Sequence, residues 1–355
     1  MQDAEFQLLV AACSASIHDR PIDARPQNIR WERLFALANR HRVQALCWNA
    51  LSPFSDDLPE DIAAGLQAQS RDIVMANLRT AAECRRLQQS FDAAGLPLLF
   101  LKGLALAAIA YRNPYLKMGV DIDLLVEPER LAEAAHQLRL AGYEPVRPSR
   151  SNERDLKRWH STRKESVWYR SEGGYQVDLH TRLADNPTLL QDMTAASPSQ
   201  QVSVATGIAL PTLTNEDLFA YLCIHGASSA WFRLKWITDL AALLQGKSER
   251  EIEQLYQHAE EVGAGRAAGQ ALLLADRLYS VGLGEDLRRR LDREPAITWL
   301  VRLAESQLFA ATEPTERFLG TAAIHISQLG LKSGWRFKAS EAARQLRDIL
   351  GSGTP

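Results

Sequence analysis

Strand-like sequence in this chain is confined to one stretch, and that confinement limits the fold more than any other feature. Between residues 95 and 185 short apolar runs are bounded by Gly, Pro or charge: LPLLFLKG, VDIDLLVEP, then SVWYRS and GYQVDLHTRL around Glu172-Gly173-Gly174. Runs of this length read as buried strands, and the double glycine as a hairpin-like turn. LALAAIAY reads as a helix, as does Glu129 to Ala141, which Gly142 closes in the left-handed conformation. The flanks are helix-like. WERLFALANRHRVQALCWNAL and the stretch Ile62 to Phe91 precede the strands, separated by a turn from Ser52 to Pro59, with Ile73, Leu78, Ala82 and Leu87 as core candidates. After the strands, Thr214 and Asp217 form an acidic variant of a capping box, with Leu213 and Leu218 placed as a hydrophobic staple. Phe232 to Leu244 has the spacing of a buried helical stripe, and helical blocks follow over Glu249–Leu278, with a break at Gly263 and Gly265, Glu285–Leu308 and SEAARQLRDIL. The expectation is an α+β chain: an N-terminal helical region 1–94, an α/β core with a mixed sheet 95–185, a polar linker or crossover 186–210, a C-terminal helical domain 211–350 and a flexible tail 351–355.

A chain of 355 residues has room for about two domains and needs no disulfide staple. Cys13, Cys47, Cys84 and Cys223 are far apart and form no CxxC pair, which fits a reducing, cytoplasmic setting better than a zinc knuckle or a secreted framework. The 41 basic and 43 acidic residues give a formal charge of −2, so no global attraction draws the chain to nucleic acid or anionic lipid. No apolar run approaches the length of a membrane span, and no basic leader opens the sequence.

GVDIDLLV is the most informative segment. Strand alternation puts Asp121 and Asp123 on one face, with Val120, Ile122 and Leu124 entering or bordering the core. Alpha carbons two residues apart in a strand are separated by about 6.5 Å, so both carboxylates can reach one divalent ion or bridge a pair. A solvated strand edge or ion pairs to basic neighbours is the alternative. Asp178 and His180 in GYQVDLH share a face of another strand, and Asp178 supplies a third carboxylate if the two strands are neighbours. His180 reads equally as a substrate contact or a structural histidine, and a zinc triad of His160, Asp178 and His180 lacks a local signature. Upstream, Lys102 and Gly103 fall at a strand-to-helix junction, where backbone N–H groups and a cation can receive phosphate. Arg112 and Lys117 lie between that junction and the acids, and no GxxxxGK[ST] is present.

Together, LLFLKGLALAAIAY, KMGVDIDLLV, YQVDLHTRL and YLCIHGASSAWFRLKWITDLA resemble the uncharacterised nucleotidyltransferase-like family of the polymerase-beta superfamily, directly over roughly residues 85–245. The resemblance implies a polymerase-beta-like nucleotidyltransferase core in which Lys102 and Gly103 form the phosphate-binding turn, and Asp121, Asp123 and Asp178 are the metal-binding and catalytic acids. It implies nucleotide contacts from Lys117 and His180, and a nucleotide or acceptor cleft lined by His225, Trp231, Arg233, Lys235 and Asp239. Trp231 and Trp236 also suit a core, and Lys235 with Asp239 an i,i+4 surface pair. The sequence departs from the pattern with Lys-Gly-Leu where superfamily enzymes commonly carry Gly-Ser, Lys117 in place of Arg, Thr181 where Trp often follows VDLH, and Ser229 at the later His of HGxxHxW.

The activity implied is transfer of a nucleoside monophosphate from an NTP, as co-substrate, to an unidentified protein or small-molecule acceptor, with Mg²⁺, or Mn²⁺ in its place, as the cofactor. Two alternatives stay open: a catalytically inactive nucleotide-binding or protein-interaction module, and a nucleic-acid-modifying nucleotidyltransferase.

Overall fold

The computed structural model describes residues 3–22, 27–149 and 152–351, so the expected flexible tail, apart from Gly351, lies outside the described residues. Helices α1 (Ala4–His18), α2 (Trp31–His41), α3 (Gln44–Leu51) and α4 (Glu60–Ala93) come first. The middle of the chain runs β1 (Leu99–Phe100), α5 (Gly103–Ala110), β2 (Ile122–Leu125), α6 (Leu131–Leu140), β3 (Glu144–Arg147), α7 (Glu153–Thr162), β4 (Glu165–Arg170), β5 (Tyr175–His180), β6 (Ser199–Ala205) and β7 (Ile208–Leu213). Helices α8 (Asn215–Ser228), α9 (Leu234–Leu244), α10 (Glu249–Glu261), α11 (Gly265–Tyr279), α12 (Glu285–Arg293), α13 (Pro295–Leu308), α14 (Ala322–Gly330) and α15 (Trp335–Gly351) complete the α+β fold. No described helix is long and apolar enough to cross a membrane.

Two compact units divide the chain: Val74–Ile109 with Asn113–Leu218, and a helical unit of Met1–Ile73, Ala110–Arg112 and Phe219–Pro355. The first helices therefore group with the C-terminal ones, unlike the expected division at residue 94. The boundary falls inside α4, where neither Gly nor Pro marks it in the sequence.

In the sheet unit the strand order is β1-β2-β5-β4-β3, with β2 and β5 parallel and the other pairs antiparallel. Ile122 pairs with Val177 and Leu124 with Leu179, and all four join Trp168 in the core. Val120 does not border that core; it is 54% exposed, ahead of the strand. Helix α4 contributes Ala81, Cys84, Leu87 and Phe91, whereas Leu78 and Ala82 face outward. The expected stripe is thus one residue out of phase at Leu78 and Ala82, while Leu87 is buried as expected and Ile73 is partly buried. Glu83 fastens the same helix: its carboxylate accepts from Arg86 at 2.6 Å, the Tyr143 hydroxyl at 2.6 Å and Arg170 at 3.0 Å. Burial opposes its ionisation, yet the bonds from Arg86 and Tyr143 hold the carboxyl below its ordinary value.

The polar stretch 186–210 contains more than a linker. Strands β6 and β7 pair antiparallel around Gly207, whose φ of +71° suits glycine. Val202, Val204, Ile208 and Leu210 meet the core, while the intervening Gln and Ser residues concealed this hairpin as polar composition. Thr212 ties it to β1 by donating its hydroxyl to the Phe100 carbonyl at 2.6 Å. Strand β3 carries Pro145, which is tolerated because β3 is a sheet edge.

In the helical unit, α9 buries Leu234, Ile237, Leu240, Leu243 and Leu244, the stripe read from the sequence. Gly226 of α8 lies against Trp231, so a Cβ added there would come within 2.3 Å of the indole ring. Ala230 and Trp231 take positive φ values of 49° and 50°, folding the buried ring back over the glycine. Its Nε1 finds no hydrogen-bond acceptor among the described residues, against the usual pairing of a buried indole N–H. Gly226→Ala is expected to lower unfolding stability by about 1–3 kcal/mol through overpacking, although alanine gains up to about 1 kcal/mol in helix propensity. A urea unfolding curve equal to wild type would show that the ring yields freely.

Candidate active site

The parallel pairing of β2 and β5 sets Asp123 directly beside Asp178, and both side chains project from the face opposite Ile122 and Leu124. Asp121 joins them from the residue before β2. One carboxylate oxygen from each of Asp121, Asp123 and Asp178 lies within 4.8 Å of the other two. Asp123 and Asp178 are buried and Asp121 is partly so. Asp123 Oδ2 is buried without a hydrogen-bond partner among the described residues. Three converging carboxylates with an unsatisfied buried oxygen fit a divalent cation, and an all-oxygen donor set suits Mg²⁺ or Mn²⁺.

The other oxygen of Asp123 is fully engaged. Lys102 Nζ lies 3.0 Å from Oδ1 and His180 Nε2 lies 3.1 Å from the same atom. Burial disfavours the Asp123 anion, but Lys102 and His180 overcome that cost and hold the carboxyl far below its usual value. Beyond His180 stands Glu165, its register partner on β4, 3.3 Å from Nε2, and Lys164 lies 2.7 Å from Glu165. Burial opposes the Glu165 charge, while Lys164 and His180 bring its carboxyl down to about 2. Asp178 is joined by no such ion pair to a Lys or Arg among the described residues; Gln176 donates to its Oδ1 at 2.9 Å. Burial, reinforced by the charges of Asp123, Glu165 and Asp121, pushes the Asp178 carboxyl up to about 7.

A cavity of about 190 Å³ in the sheet unit is lined by Lys102, Gly103, Asp121 and Asp123. Gly103 opens α5 with a φ of +57°, a conformation that an L side chain would strain. Further lining comes from the Gly173-Gly174 turn with Tyr175, and from Ala76, Asn77, Arg79, Thr80 and Cys84 of α4. Sequence reasoning missed the α4 wall and Glu165. Helical spacing places Ala76, Thr80 and Cys84 on one stripe, but nothing local to α4 points to the acids; Glu165 is recognisable only once β4 is set against β5. Asn77 supports the approach to β2, donating its side-chain amide to the carbonyls of Tyr115 at 2.7 Å and Lys117 at 2.8 Å. Lys117 itself is buried.

The remaining residues singled out in the sequence have other surroundings. His160 bonds Thr181 Oγ1 at 2.8 Å and Ser166 Oγ at 3.0 Å through its two ring nitrogens, and it is absent from the acid cluster. Burial, with His180 and Arg182 nearby, lowers its pKa to about 4. Thr181 is thereby a buried partner of His160. His225, Trp231, Arg233, Lys235 and Asp239 all belong to the helical unit. There Arg233 holds Glu313 in a two-point contact at 2.7 Å each, buried Asp239 accepts the Tyr111 hydroxyl at 2.8 Å, and His225 meets Trp236 edge to face. Arg112 pairs with Asp19 in the same unit at 3.7 Å, both exposed.

Two outcomes follow for the sheet unit. Because the folded metal-free protein raises the Asp178 pKa, its proton stabilises the native state below the ordinary carboxyl value near pH 4, and that stability drains away as pH rises toward about 7. Asp178→Asn is expected to match wild type near pH 4 and to exceed it at pH 8 by roughly a few kcal/mol in unfolding free energy without metal. Unfolding curves with parallel pH dependence in both proteins would contradict this. Glu165→Gln should weaken Mn²⁺ binding by roughly tenfold, because it removes a carboxylate charge that acts on Asp178 at the cluster. Titration calorimetry giving wild-type affinity would remove Glu165 from the site.

None of the curated proteins compared with this chain matches it. A family model does: the uncharacterised nucleotidyltransferase family matches residues 27–280, a span that runs from α2 through α11 and includes every strand. A neighbouring-strand pair of aspartates joined by a third, found inside a match of that extent, is what the sequence motifs anticipated, and the chain belongs to the uncharacterised nucleotidyltransferase family.

Proposed function

We propose that the protein is a metal-dependent nucleotidyltransferase of the polymerase-beta type, moving an NMP group from an NTP to a protein or small-molecule acceptor. The observation that carries this reading is the Asp123–Asp178 register with Asp121 alongside. Asp121 and Asp123 would hold Mg²⁺, with Asp178 as a shared ligand; bound there, the ion neutralises phosphate charge and lowers the proton affinity of the attacking group.

Each protein group then has a task. Asp178 helps to hold a second ion or accepts the proton of the acceptor nucleophile. The new bond forms at the α-phosphorus while the bond to the α–β bridging oxygen breaks, and pyrophosphate leaves with the electron pair. Lys102 and His180 keep Asp123 ionised and fix Oδ1, so that Oδ2 faces its ligand. Backbone N–H groups after Gly103 receive phosphate oxygens at the start of α5.

Incubation of the protein with α-labelled NTPs, Mg²⁺ and cell extract should place label in a protein or small-molecule fraction. Asp178→Asn should slow that transfer by about 10²- to 10⁴-fold, and Asp121→Asn and Asp123→Asn should abolish it while circular dichroism stays native. Wild-type metal-dependent rates in both Asp121→Asn and Asp123→Asn would refute the paired-carboxylate mechanism.

A further inference from the structure

Two basic side chains line the cavity beside the acids, Lys102 and Arg79. Lys102 is committed to the carboxylates: it lies 3.0 Å from Asp123 Oδ1, with 16% of its side chain exposed against 2% for the aspartate. Withdrawing it toward a ligand would strip a buried anion of its closest cation, a costly exchange. Arg79 carries no such commitment. Its side chain is exposed, and no hydrogen bond or ion pair joins it to another described residue.

The backbone around Arg79 is held on two sides. Two residues earlier, Asn77 grips the Tyr115 and Lys117 carbonyls; at Arg79 itself, the carbonyl accepts the Tyr175 hydroxyl at 3.5 Å. The guanidinium therefore starts from a fixed frame at the cavity, with Thr80 adding a hydroxyl beside it. A planar guanidinium bonds two phosphate oxygens at once, which suits a chain of linked phosphates better than an ammonium does.

We propose that Arg79 of α4 is the cationic contact for the polyphosphate chain of the nucleoside triphosphate, and that Lys102 serves Asp123 instead. The proposal rests on the nucleotidyltransferase reading and identifies a binding residue that lies outside the strand-bearing motifs. Lys102 then tunes the acids, and Arg79 grips the phosphates.

The test is titration calorimetry on the full chain with inorganic tripolyphosphate plus Mg²⁺, ATP plus Mg²⁺, AMP, and Mn²⁺ alone. Arg79→Ala and Arg79→Gln both suit an exposed helical position, and circular dichroism checks their folding. Both should bind tripolyphosphate and ATP about 10- to 100-fold more weakly, with AMP and Mn²⁺ affinities unchanged, while Arg79→Lys falls between them and wild type. Tripolyphosphate affinity within about twofold of wild type in both variants, when Asp121→Asn has lost it, would make Arg79 a solvated helix residue and overturn the proposal alone. Wild-type protein that binds neither tripolyphosphate nor ATP would overturn the nucleotidyltransferase reading, and the proposal with it.

Discussion

Two carboxylates cannot lie side by side in a buried layer unless something answers their charge, and the β2–β5 register places Asp123 and Asp178 in that position. Much of the sheet unit can be understood as that answer. Lys102 comes two residues after β1, where its ammonium meets Asp123, and Gly103 lets the chain turn at once into α5. On the other side β4 brings Glu165 within 3.3 Å of the same His180 nitrogen that meets Asp123. Lys164 answers Glu165 and Lys102 answers Asp123, with the His180 ring set between the two acids.

Asp178 is set apart: burial and the charges of Asp123, Glu165 and Asp121 push its carboxyl up to about 7, whereas Asp123, despite its burial, is held far below its usual value beside Lys102 and His180. The opposite face of the same strands is wholly apolar, with Ile122, Leu124, Val177 and Leu179 in the core, so pleating alone keeps chemistry and packing apart.

The acids were legible in the sequence because their relation is local: Asp121 and Asp123 are two residues apart, and Asp178 precedes a histidine in a similar pattern. Gly103 and the strand-to-helix junction were legible for the same reason. Glu165 and the α4 wall were not, since their proximity to the acids depends on strand order and on a helix that ends before the first strand begins. The β6–β7 hairpin was hidden by its exposed face, where Ser and Gln alternate with the valines that meet the core. In the helical motif, Arg233 meets Glu313 and Asp239 meets Tyr111, partners far away in the sequence that local spacing does not reveal.

The course of α4 bears on how this protein can be divided. A fragment beginning at the first strand would keep every acid of the site, yet it would discard Leu87 and Phe91, neither of which has any exposed surface, along with the Glu83 anchor for Tyr143 and Arg170. The strands would face solvent where the helix had lain, and their core would open along its length. The smallest piece able to stand by itself is set by packing and not by motif: it reaches back into a helix with no catalytic signature of its own.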